Sequence, residues 1–330
     1  MPGVPCRLAA HADWSVSPTK RWLCCAERDG AGWRMGAPDR VGDAGTLLAR
    51  LSEQAGGGPV ALGVDFPIGL PRAYAARLTG PADFPAFLAS LAEQPDFFRV
   101  AARLADVSSG RPFYPARGMA GMTRAAHAAA LGLAGPDALG RACDRATARR
   151  PAGAPIFWTL GANQTGKAAL HAWSALLLPA MRRSLRLWPF AGDFRALLAP
   201  GRVVVAETYP AEALRQLGLR PPASKRRQAD RAALAPHLLL CLDRLAVRPG
   251  AALAGAIAEG FGADAAGEDR FDSLLGALNV IAVLDGHRPD TVPDDPWIRR
   301  WEGWVLGQTD LPKPQPSEHG PSARGPDQPG

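Results

Sequence analysis

The chain has 330 residues, 38 Lys and Arg against 31 Asp and Glu, a formal charge of +7 and a pI near 9.6. Apolar residues make up 47% and charged residues 21%, the balance of a folded soluble protein, and no apolar run is long enough to span a bilayer. The start, MPGVPCRLAA, has no apolar secretion core, and five cysteines without C-x-x-C spacing argue against a disulfide framework or zinc site. A reduced, cytoplasmic protein is expected, with a positive excess that permits a polyanionic partner.

Arg7 to Asp13, Arg21 to Glu27 and Gly32 to Met35 read as short strands, parted by Ser17-Pro18 and Asp29-Gly30. That is the pattern of an antiparallel meander. A helix is predicted from about Ala44 to Gln54, stopped by Gly56-Gly57-Gly58-Pro59. Val60 to Val64 is a continuous apolar run closed by Asp65, as in a central strand covered on both faces. Pro67, Gly69 and Pro71 then enforce a rigid turn. Residues from about 72 to 200 are rich in Ala and Leu and repeatedly broken by Pro and Gly. They read as short helices forming a large insertion after the fourth strand. A second apolar strand, Val203 to Ala206, ends in Glu207 ahead of Tyr209-Pro210, and helices follow at about 211–217, 225–246, 250–259 and 269–284. Residues 311–330 are Pro/Gly-rich with almost nothing apolar, and are expected to be a disordered tail. Residues 1–310 are then a single α/β domain, a mixed sheet flanked by helices.

Carboxylates stand where apolar elements end: Asp13, Asp65, Glu207 and the pair Asp269 and Asp272. In open α/β sheets the ends of central strands converge on the ligand crevice. Acids gathered there repel one another and raise their pKa values unless a cation neutralises them. Hard oxygen ligands suit Mg²⁺ or Mn²⁺, and two such ions can activate water against a phosphodiester. At the last helix, an acid at the N-cap followed by another resembles a capping box. Asp272, Gly276 and Asn279 share one helical face, which favours Asp272 as the inward carboxylate. Asp269 is then the cap, and the second choice as a ligand.

Taken in order, the strings HADWSVSPTKRW (11–22), GVDFPIGLP (63–71), AETYPAE (206–212) and DRFDSLLGAL (269–278) resemble the domain of unknown function family 429. NQTGKAALHAW (163–173) and EGWVLG (302–307) extend the resemblance to about residues 5–308. That family is described as predicted nucleases with a ribonuclease H-like fold. The resemblance implies Asp13 on the first strand, Asp65 at the end of the fourth, Glu207 after the fifth and Asp272 on the closing helix. It implies that Asp13, Asp65 and Asp272 hold two metal ions, with Glu207 a ligand or general base, and that a nucleic acid is cut by phosphodiester hydrolysis.

Gly161 to Ala168 nearly matches a phosphate loop and follows an apparent strand, Pro155 to Leu160, but Ala168 replaces the hydroxyl that should hold Mg²⁺. Gln164 and Lys167 are therefore read as phosphate contacts near the acidic cluster. Lys20, Lys225 and Arg231 are further candidates among the basic residues, with Trp22, Trp158, Trp173 and Trp188 as possible stacking platforms for bases. His11, two residues before Asp13, points to the same strand face. Two rival readings are a protein that binds nucleic acid or nucleotide without cleaving it, and an ATP-dependent phosphotransferase. No protein partner is inferable from the sequence.

Overall fold

A computed structural model describes residues 5–118, 121–160, 165–181 and 185–313. It is a mixed α/β structure built on an eight-stranded sheet. The strands are β1 (Leu8–Asp13), β2 (Trp22–Asp29), β3 (Gly32–Met35), β4 (Asp39–Arg40), β5 (Val60–Val64), β6 (Leu185–Leu187), β7 (Val203–Glu207) and β8 (Val247–Pro249). Their order is β6-β7-β5-β1-β2-β3-β8, with β4 beside the start of β2. β1, β2 and β3 form the expected antiparallel meander, whose tip places Gly30 at φ +61 where a side chain would be strained. β5 lies parallel to β1 and to β7, and β6 parallel to β7.

Three short strands escaped the sequence pattern. β4 comes before Val60–Val64, which is thus the fifth strand rather than the fourth. β6 falls inside the expected helical insertion, and β8 closes the far edge beside β3. The reverse error occurs at Pro155 to Leu160, which makes no strand and bridges Tyr114 only at Trp158. Between Arg72 and β6 the described residues otherwise form short helices and 3-10 turns. The longest helical run there, Thr165–Ala180, contains a π-turn at Trp173–Leu177. The helix expected over 225–246 divides into Gln228–Ala232 and Ala235–Arg244, because Pro236 starts a new helix. The tail beyond residue 313 lies outside the described residues.

Every residue of β1, β5 and β7 is buried, so both faces of the central sheet are covered. Leu8, Ala10, Ala12, Val60, Leu62, Val64, Val203 and Val205 face one core, shared with helix Leu47–Gln54 and the segment after Arg72. Ala9, Ala61, Val204 and Ala206 face the other, beneath the long helix Gly267–Leu284. That second face is made of small residues, and so the helix can lie close on it. A Cβ on Gly276 would overlap the ring of His11, and one on Gly63 would come 2.7 Å from Val280 Cγ2. Gly276→Ala is expected to destabilise by about 1–3 kcal/mol through overpacking, outweighing its gain of about 1 kcal/mol in helix propensity. Urea denaturation checks this; an unchanged or raised midpoint would contradict the seating described.

Candidate functional site

Parallel pairing sets Ala12 of β1 opposite Val64 of β5, so Asp13 and Asp65 leave the sheet side by side. Side-chain alternation turns both toward the long helix. Asp13 is 8% exposed. Asp65 Oδ1 accepts the backbone N–H of Trp14 at 2.7 Å, which fixes its carboxylate at the mouth of β1. Two adjacent buried carboxyls cannot both ionise cheaply. Burial, followed by the charge of Asp65, pushes the Asp13 carboxyl well above the usual range. Burial pushes Asp65 up to about 7, against the pull of the Trp14 N–H.

Asp272 reaches the same place from the second turn of the long helix. Lys225 Nζ grips it at 2.7 and 2.5 Å from its two oxygens. Burial still dominates and raises Asp272 to about 6, with Lys225 pulling the other way. Asp269 is half-buried and also raised, by burial and then by Glu268. It is not the helix cap: the N-cap is Ala266, without a side-chain bond, and Asp269 is the third residue of the helix. Its side chain is therefore free to join the acids.

Asp13, Asp65, Asp269 and Asp272 line one cleft of about 800 Å³, together with Lys20 and Lys225. Two other candidates lie elsewhere. Glu207 is aligned with Val64 and shares its face, opposite to that of Asp13 and Asp65, so strand alternation carries it away from the cleft. There it is fully buried, bound by Arg141 Nη1 and Nη2 at 2.6 and 2.7 Å and by the N–H of Ile68 at 2.8 Å. Arg231 is buried as well and spends its guanidinium on the carbonyls of Lys225, Gly260 and Gly262. It cannot contact a phosphate; it holds the backbone from which Lys225 reaches Asp272.

The phosphate-loop candidates fare unevenly. Lys167 sits half-buried on helix Thr165–Ala172, whose cleft-lining residues are Thr165 and Ala168 instead. Gln164 lies outside the described residues, as do positions 161–163. The loop lacks the strand that a nucleotide triphosphate site needs before it, since 155–160 forms none. Trp173 and Trp188 are core residues, and Trp22 is buried under Arg40 and Arg270, so none is a free stacking platform. His11 does lie on the Asp13 side of β1, fully buried against Gly276, with burial holding its imidazole down to about 3.

One tight grouping of possible metal ligands occurs among the described residues: Cys143, Asp144 and Glu207, with ligand atoms within 4.8 Å. A cation already fills it. Arg141 forks to Asp144 at 2.9 Å through both Nε and Nη2 while holding Glu207. Sequence reasoning missed two further cleft residues, Trp14 and Arg215. Arg215 stands three residues after Glu212, to which it is paired at 2.6 Å, so the AETYPAE string carried a signal for it. Arg150 also lines the cleft and belongs to a basic run visible in the sequence, Arg145 with Arg149 and Arg150.

The cleft thus combines hard, proton-hungry oxygens with ammonium and guanidinium groups, a setting able to bind a cation and an anion together. Neither the curated proteins nor the solved structures contain a match to the chain. Residues 13–297 match the model of the family described as "Protein of unknown function (DUF429)", a span that takes in all four cleft aspartates, and the chain belongs to that family.

Proposed function

We propose that the protein is a divalent-metal-dependent phosphodiesterase acting on nucleic acid, on a sheet of ribonuclease H-like plan. The observation that carries this reading is the meeting of Asp13, Asp65 and Asp272, from β1, the end of β5 and the long helix, in one cleft. Three antiparallel strands followed by the parallel β5 and β7 support the fold assignment. The donor chemistry fits Mg²⁺ or Mn²⁺: the ligands are carboxylate oxygens, raised in pKa chiefly by burial, and a bound cation would favour their charged forms. When bound, such a cation would stabilise the charge on a phosphoryl oxygen and make water a better nucleophile.

The chain's own residues take defined parts. Asp13 and Asp65, both raised in pKa by burial, would ionise on binding the cation. Lys225, now tied to Asp272, would be released to donate to a phosphate oxygen, while Lys20 adds positive charge to the same cleft. Glu207 has no place in this set, because Arg141 already neutralises it. The Lys225–Asp272 pair also favours a second reading, a binding protein whose acid cluster is neutralised from within.

Labelled single-stranded, duplex and hybrid DNA and RNA, incubated with Mg²⁺ or Mn²⁺, separate the two. Cleavage is expected, with a loss of at least about a hundredfold in Asp13→Asn and Asp65→Asn. Binding without cleavage under every metal condition would favour the second reading. Cleavage unchanged in both variants would remove these acids from the site.

A further inference from the structure

Both oxygens of Asp272 are taken by a single group. Lys225 Nζ stands 2.7 Å from Oδ1 and 2.5 Å from Oδ2, and the Lys225 side chain is only 23% exposed. The lysine is held in place from behind, because the buried Arg231 pins its backbone. Arg231 Nη1 donates to Lys225 O, Nε to Gly260 O at 2.8 Å and Nη2 to Gly262 O at 2.6 Å. Gly267 opens the long helix directly against the same guanidinium, where a Cβ would overlap Nη2. One buried arginine thus ties the lysine loop to the start of the helix that carries Asp272, and the ion pair is built into the fold.

The same pair sets Asp272 apart from the other acids. Asp13 and Asp65 are within side-chain hydrogen-bonding reach of each other. Among the described residues, however, only Cys143, Asp144 and Glu207 offer three ligand atoms within 4.8 Å of one another, so Asp272 does not close on the Asp13–Asp65 pair. An ammonium is a compact positive charge, and between two carboxylate oxygens it does what a cation would do there. The charges also balance. At the cleft mouth Asp269 faces Lys20, and Glu268 faces Arg226 at 3.8 Å. Deeper in, the ionised forms of Asp13, Asp65 and Asp272 against Lys225 leave a double negative charge, which one divalent ion neutralises. Mg²⁺ is commonly held by one or two carboxylates, with waters and substrate phosphates completing its shell. We infer that Lys225 stands in the place of a second cation, so that the free protein takes one divalent ion, on Asp13 and Asp65, and none at Asp272. This rests on the phosphodiesterase reading, and turns the two-ion centre implied by the family resemblance into one ion and a lysine. A phosphate bound at the ion then finds Lys225 as its second positive contact.

Counting Mn²⁺ bound to the full chain without nucleic acid tests this, by equilibrium dialysis or by the loss of the free Mn²⁺ signal in electron paramagnetic resonance. The wild type is expected to bind one ion, Lys225→Met two, and Lys225→Met combined with Asp272→Asn one again. Methionine keeps most of the side-chain stem and the carbonyl that Arg231 holds, so the fold should survive the change. Asp272→Asn alone should keep its ion and Asp65→Asn should lose it, a contrast that needs no change at Lys225. Two ions in the wild type, one in a folded Lys225→Met, or loss of the ion in Asp272→Asn would each overturn the role of Lys225. Metal-dependent cleavage alongside any of these counts would leave the phosphodiesterase reading intact. The expected counts with no cleavage of any nucleic acid would do the reverse, and no ion in any form would overturn both.

Discussion

The thermal midpoint of the metal-free protein is expected to fall as pH rises from about 6.5 to 8.5, and Asp65→Asn is expected to flatten that fall. Asp65 is raised to about 7 in the fold, Asp272 to about 6, and Asp13 well above its ordinary value, all chiefly by burial. The folded state therefore holds protons that the unfolded state has released. Stability from this source is full below the ordinary carboxylate range and is lost as pH climbs through the folded values. Below pH 6.5 the buried His11 acts in the opposite sense, because its imidazole is held down to about 3 and unfolding lets it take a proton. Toward pH 8.5 the buried thiols, raised by burial, begin to add a fall of the same sign, and subtracting the Asp65→Asn curve removes the histidine and thiol effects throughout. At about 1.4 kcal/mol per pKa unit the effect is on the order of a few kcal/mol, a shift of roughly 5–10 °C. Adding Mg²⁺ or Mn²⁺ at pH 8 should recover it in the wild type and much less in the variant. Scanning calorimetry across the range decides; a midpoint that rises with pH above 6.5 would show that the acids are not crowded.

Arg141→Leu is expected to be the most damaging single change outside the cleft. It strips two buried carboxylates, Glu207 and Asp144, of their cation at once. Removing one partner of a buried pair costs about 3–5 kcal/mol, because the other is left charged in a dry place. Lysine cannot replace it, since no single ammonium forks to both acids. Adding Glu207→Gln and Asp144→Asn to Arg141→Leu should restore much of the loss, as both charges vanish together. Chemical denaturation of the single and triple variants gives the comparison, and equal instability in both would mean that charge is not the cause. Glu207→Gln alone should keep metal-dependent activity and loosen the turn after β5, whose Ile68 N–H it anchors.

Asp13, Asp65 and Asp272 were legible in the sequence because an acid ending an apolar element is conspicuous whatever surrounds it. Glu207 was equally conspicuous, yet its role was not. The face it takes depends on the register of β7 against β5, which no local pattern encodes. Its partner Arg141 lies 66 positions earlier, in a segment without periodicity. β6 and β8 are three residues each, too short for alternation to register. Pro155 to Leu160 misled in the opposite direction. Ile156 and Phe157 are apolar because both are buried, Phe157 against the rings of Tyr74 and Phe113, and that needs no strand. The small-residue face of the sheet was visible only from the helix side, at Gly276. Its counterparts Gly63 and His11 gained meaning once the register was known.

The sheet order also bears on how the chain comes off the ribosome. β1 and β5 are complete by residue 64, but one neighbour of β5 is β7, and the helix that roofs both ends at Leu284. At about 5–20 residues per second, roughly 10–45 s of synthesis separate the core strands from their cover. During that interval VALGV is an apolar strand with an open edge. The hairpin of β2 and β3 shields only the other side of β1. Long-range pairing of this kind slows folding, and places the cleft acids together only after nearly all of the described chain has been made.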